Sequence, residues 1–176
     1  MKTRTEKILD VLIVLAWMGF IGYAVNFGSQ LISFIVSFGN PEASKHIYRV
    51  DQNLISVRQF NFRYYVGVMS FVLVLSIMLM QLWYVVITLL SKLNIKNPFT
   101  IEVAKKLEKI AYSLLSIWIV GFIGEKYVDW VSKNMGGPLS IIKATNEFLF
   151  TAGIVYIISQ IFRHGIELQE ENQQTI

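Results

Sequence analysis

The sequence predicts an all-α membrane protein, a bundle of four transmembrane helices, and two observations carry that prediction. The first is the run from Tyr64 to Ser91, which lies between Arg63 and Lys92 and contains no Asp, Glu, Lys, Arg or His. At about 1.5 Å of rise per residue it reaches roughly 42 Å as a helix, more than the ~30 Å of bilayer hydrocarbon. Tyr64 and Tyr65 at one end and Trp83 and Tyr84 near the other bracket it, as amphipathic rings do at water-lipid boundaries. The second is composition: 54% hydrophobic residues against 16% charged, with mean hydropathy +0.51, far to the apolar side of a soluble domain.

A length of 176 residues leaves room for about four spans joined by short loops. The reading is one integral membrane domain over residues 1–176, with spans at about 8–38, 64–91, 108–130 and 146–163 and a cytoplasmic tail over 164–176. The absence of cysteine removes disulfide frameworks, thiolate metal sites and cysteine nucleophiles. A net charge of +4 and a pI near 9.3 would suit nucleic acid in a soluble chain. Here Lys and Arg fall near span ends, where their expected partner is membrane lipid with its anionic headgroups.

The first span is uncharged from Val11 to Pro41, too long for the core of a cleavable signal, and reads as retained. Gly19 and Gly22, with Ser29, Ser33 and Ser37 every four residues, offer small side chains against which other helices can pack. Asn26 and Gln30 are one turn apart, and both are expected to bond to neighbouring helices. Asn26, together with Gln81 and Gln160 in later spans, is expected to hydrogen-bond between helices. Residues 42–63 form the longest polar connection. There Phe60, Phe62 and Tyr64 alternate with polar residues, and Asp51, Gln52 and Asn53 suit a turn, so a small extracytoplasmic hairpin is expected. His46 has no ligand partners nearby and reads as a surface residue.

Five lysines and two acids lie between Ser91 and Ile110. Asn97-Pro98 breaks the chain, because the residue before proline is pushed out of helical geometry. Thr100 then caps a new helix, although Val103 stands where a capping box would place Glu or Gln. Ile101, Ala104, Leu107 and Ala111 share a face of that helix while Lys105, Lys106 and Lys109 point elsewhere. The pattern predicts a short cytoplasmic amphipathic helix running directly into the third span. The uncharged cores of the third and fourth spans, 110–124 and 148–162, are short, but Lys109 and Lys126 can snorkel and extend the reach. Glu125 and Asp129 are four apart on one face. They would suit cation binding or a proton relay, but a rim pair balanced by Lys126 and Lys133 is the simpler reading. Gly136-Gly137-Pro138 makes a turn.

With both termini inside, nine cations fall on inner segments and seven on outer loops. The inner segments are the shorter, so the cation bias places both termini in the cytoplasm.

Two stretches carry a family resemblance. Asn97, Pro98, Phe99 and Thr100, followed by the lysine-rich helix and a span, and the terminal IFRHGIELQEENQQTI resemble uncharacterised four-span bacterial membrane proteins of the YoaS type. Tails of that family run close to FRRGVELQEENDLTI. This sequence follows that pattern at Phe162, Arg163, Gly165, Glu167 to Glu171, Thr175 and Ile176, and departs from it at His164 and at Gln173-Gln174. Members are often encoded beside a small Cro/C1-type helix-turn-helix regulator. The resemblance therefore implies a protein of the bacterial cytoplasmic membrane that works with such a partner. In that reading Glu167, Glu170 and Glu171 supply charge and Leu168 an apolar anchor for a small basic regulator.

Two separated histidines, no cysteine, no glycine-rich phosphate loop and no metal-spaced cluster leave no catalytic, cofactor-binding or metal constellation, so the chain is not expected to be an enzyme. Its cytoplasmic segments are too short for a direct reader of nucleic acid. The expected function is a non-enzymatic membrane partner or sensor controlling a transcription regulator. The alternative is a small oligomeric transporter or channel, against which stands the scarcity of ionisable groups at depth. A homo-oligomer is compatible with either.

Overall fold

The structure is a computed structural model and describes residues 4–39, 52–94 and 98–174. Those residues form five helices and no strand: α1 Arg4–Gly39, α2 Gln52–Phe60, α3 Phe62–Lys92, α4 Ile101–Met135 and α5 Asn146–Gln174. Four of them, all but α2, are long and apolar enough to cross a membrane, with mean hydropathy over their most apolar stretches of 2.2, 2.3, 1.5 and 1.3 in chain order. Hydrocarbon cannot hydrogen-bond a peptide group, and a helix satisfies its own backbone. The amphipathic segment from Ile101 and the third span are one unbroken helix, and α5 continues through the fourth span into the tail without a break.

The chain divides into two compact units: Met1–Ile21 with Met80–Ser116 and Asn146–Ile176, and Gly22–Leu79 with Ile117–Thr145. The second unit has a core of Val57, Tyr65, Val68, Met69, Val128, Val131 and Ile142. Along α4 buried residues recur at 110, 114, 117, 121, 124, 128 and 131, the three-and-four spacing of a single helix face. Two glycines in this unit allow close approach. A Cβ on Gly67 would meet the Tyr127 ring, with Cζ at 2.7 Å, and one on Gly124 would lie 3.2 Å from Ile142 Cδ1 and Phe71 Cδ1.

The expected hairpin is corrected over its described part. Residues 40–51, including Asp51 and His46, lie outside the described residues, while Gln52 and Asn53 open α2 and no strand follows. Leu54 and the fully buried Val57 sit three apart and face the core, a helical period that the aromatic alternation masks. The alternation straddles a helix junction at Asn61. Its backbone N–H ends α2 on the Val57 carbonyl at 2.9 Å. Its carbonyl accepts the Tyr65 N–H at 3.1 Å and its side-chain oxygen accepts the Arg63 N–H at 2.9 Å, so it also caps α3. Phe60 and Tyr64 then stack at i, i+4, with centroids 6.1 Å apart, and Tyr64 meets Trp130 edge-on at 5.2 Å. Arg58 of α2 donates to the Ser37 carbonyl, bringing a cation to the C-terminal turn of α1, which has no basic residue of its own.

α4 ends at the expected turn. Gly136 takes φ of 75°, the left-handed conformation that closes a helix at little cost only for glycine, and its N–H bonds the Ser132 carbonyl at 3.0 Å. Ser132 Oγ donates to the Gly137 carbonyl at 2.6 Å and accepts from the Leu139 N–H at 3.2 Å. Glu125 accepts the Ala144 N–H at 3.0 Å and so ties the following loop to the helix, whereas Asp129 pairs with Lys126 at 3.5 Å. Among the described residues no three of His, Cys, Asp and Glu gather as a metal set.

Candidate functional site

The described parts of the two sequence stretches that carry the resemblance, residues 98–100 and the end of α5, meet in the first unit. Asn97 lies outside the described residues; Pro98, Phe99 and Thr100 lie within them. Thr100 is the cap of α4: its Oγ1 accepts the Val103 N–H at 3.3 Å and its carbonyl the Ala104 N–H at 3.1 Å. Phe99 stands just ahead of the cap, from where its ring lies against α5. The ring centroids of Phe99 and Phe162 are 5.1 Å apart. Gly165, one turn on, is where the ring comes closest: a Cβ there would stand 2.9 Å from Phe99 Cδ1. Phe99 and Gly165 are thus the two halves of one contact.

Ion pairs frame this contact. Arg163 of α5 pairs with Glu108 of α4, whose carboxylate also accepts from Tyr112 Oη at 3.4 Å. Lys92, the last residue of α3, pairs with Glu102 in the first turn of α4 at 2.7 Å. The hydrogen bond from Lys92 and then its charge hold the Glu102 carboxyl below the ordinary 4.5, and the same bond and charge hold the Lys92 ammonium above 10.5. Both side chains are more than half exposed, so water screens the pair and its worth is geometric registration more than energy. The end of α3, the start of α4 and residues 162–165 of α5 are thereby tied into one cluster.

Residues 37–176 match a family described as a protein of unknown function, DUF2975. The chain belongs to this family. No curated protein and no solved structure matches it. Both stretches of the cluster fall within the family's matched region.

Beyond Gly165 the residues expected to bind a partner are on an unbroken helix. Glu167, Glu170 and Glu171 fall at i, i+3 and i+4 on one side, with Leu168 bordering them, an arc of about 160° at roughly 100° per residue. Glu167 and Leu168 are 69% and 47% exposed, and His164 approaches Glu167 at 3.3 Å. The polar residues at depth take different positions. Gln160 is half-buried and donates to Ser159 of its own helix at 3.3 Å. Asn26 and Gln81 are exposed on α1 and α3 and hydrogen-bond no described residue. Gln30, expected to bond between helices, does so by accepting from Ser76 Oγ at 2.8 Å. Sequence reasoning missed the Glu108–Arg163 and Lys92–Glu102 pairs and the role of Gly165. Their partners are 55, 10 and 66 residues apart, and the only signal on offer was an isolated glycine two residues after an arginine in an otherwise helical run.

Proposed function

We propose that this multi-pass membrane protein is a non-enzymatic docking partner or sensor, and that it holds a small basic transcription regulator of the Cro/C1 type at the end of α5. The observation that carries the reading is the exposed acidic strip of Glu167, Glu170 and Glu171 beside Leu168, on a helix whose base is fixed by Phe99, Gly165 and the Glu108–Arg163 pair. Like charges on a rigid helix attract a basic surface from a distance, and a bordering leucine adds short-range apolar contact. A regulator held there is held away from DNA, and any signal that reaches the cluster through the spans changes how the strip is presented. In this reading the chain is oriented with both termini in the cytoplasm of a bacterium.

The test is co-purification of the full chain from native membranes in mild detergent after brief crosslinking. Parent protein is compared with a variant carrying Glu167→Lys, Glu170→Lys and Glu171→Lys, changes that leave the Phe99, Gly165 and Arg163 contacts untouched. Recovery of a small basic helix-turn-helix protein with the parent, reduced at least about tenfold by the reversal, is expected. Equal recovery with both forms, or with neither, would remove the strip from the mechanism.

A further inference from the structure

Asn26 is a side-chain amide exposed on α1, within a stretch that carries no charge from Val11 to Gly39. At 1.5 Å per residue it lies about 24 Å along the helix from Asp10 and about 20 Å from Gly39. Slide a hydrocarbon layer of about 30 Å to either limit between those residues and Asn26 is still at least about 6 Å inside it. Gln30, one turn on, is satisfied by Ser76, whereas Asn26 bonds to no described residue. A lipid tail offers neither donor nor acceptor, so the amide's loss of water goes uncompensated there.

The surroundings say what compensates it. Gly22, one turn before Asn26, has nothing within 4 Å of where a Cβ would stand, and Ser29, one turn after, is exposed. Met18, Val25 and Ile32 flank them on the same strip with more than half of each side chain uncovered. α1 is also the least buried of the four long helices, at 6% over its most apolar stretch against 33% for α4. Small residues admit a second backbone at close range, and an amide carries both a donor and an acceptor, so it is complementary to its own copy across a two-fold axis. Gln81 is the other exposed amide at depth, but Ile77 and Tyr84, a turn to either side, are bulky and exposed and hold another backbone off.

We infer that the Gly22–Asn26–Ser29 strip of α1 is the interface between two copies of this chain, with Asn26 hydrogen-bonded across the two-fold axis. The inference does not rest on the regulator reading.

The chain has no cysteine, so single cysteines report the interface without background. Full-length protein in liposomes, oxidised gently, is expected to form disulfide-linked dimers with Gly22→Cys or Ser29→Cys and not with Ser33→Cys, which is buried within the chain. In the Ser29→Cys background Asn26→Leu should lower the dimerisation constant about three- to thirtyfold, read from dilution into excess lipid. Gly22→Leu, which meets nothing in its own protomer, should weaken dimerisation as well. Single-step photobleaching of the parent at every lipid dilution, crosslinking insensitive to both variants, or dimers trapped only by Gln81→Cys would overturn the inference.

Discussion

Gly67 and Gly22 look alike in the sequence, each a glycine in a long apolar helix, and the structure gives them opposite environments. At Gly67 an added Cβ would run into Tyr127, whose hydroxyl is the nearest atom and whose Cζ stands at 2.7 Å; at Gly22 it would meet nothing. Gly67→Ala is therefore expected to destabilise the second unit by about 1–3 kcal/mol despite alanine's better helix propensity, because a packed ring must shift. Tyr127→Phe should restore part of the loss by removing the closest atom. Melting in mild detergent, followed by tryptophan fluorescence, checks both; Trp130 lies 5.9 Å from the Tyr127 ring and reports directly. A melting point unchanged by Gly67→Ala would refute the contact. Periodicity places a glycine on a face, but only the partner's side chain decides whether the missing Cβ matters.

Among the elements, the start of α4 was the most legible. Proline at 98 and the threonine cap at 100 act through the local backbone, so the break and the helix start can be read without knowing what lies nearby. α2 was not legible, because nine residues of mixed polarity offer few turns of periodicity and the aromatics around Asn61 imitate a strand. The Lys92–Glu102 strap between α3 and α4 gives a pH prediction at this scale. A carboxyl held below its ordinary value contributes stability that is present above about 4.5 and lost as pH falls through the lowered value. The lysine's share is present below 10.5 and lost as pH rises through its raised value. The strap is thus intact across the neutral range and opens only below 4.5 or above 10.5. The Glu102 carboxyl, followed by NMR with labelled glutamate, should titrate with a midpoint below 4.5, and Lys92→Met should return it towards that value. No change on removing Lys92 would show that the pair does not form in solution.

At the scale of the whole molecule, four candidate spans would return the chain to the side on which it began, and residue 92, residues 99–108 and residues 162–165 meet in one cluster, as alternating passes of α3, α4 and α5 require. The proposed orientation, with both termini in the cytoplasm, is testable. Cysteines introduced one at a time at Gly137 and Glu170 should behave oppositely towards a membrane-impermeant maleimide in intact cells. Gly137→Cys should label from outside, and Glu170→Cys only after permeabilisation. The reverse pattern would invert the orientation and, with it, move the acidic strip away from any cytoplasmic regulator.

The sequence by itself determined that the chain is helical, that four segments are long and apolar enough to span, and where α4 begins, because hydrophobic length and backbone capping act within a few consecutive residues. Only the tertiary structure decided that Phe99 rests on Gly165, that Arg163 answers Glu108, and that Gln30 faces a partner helix while Asn26 faces outward. Those outcomes depend on how each helix is rotated about its axis. Rotation is set by contacts between residues far apart in the chain, to which a hydrophobic run uniform on every side gives no direction.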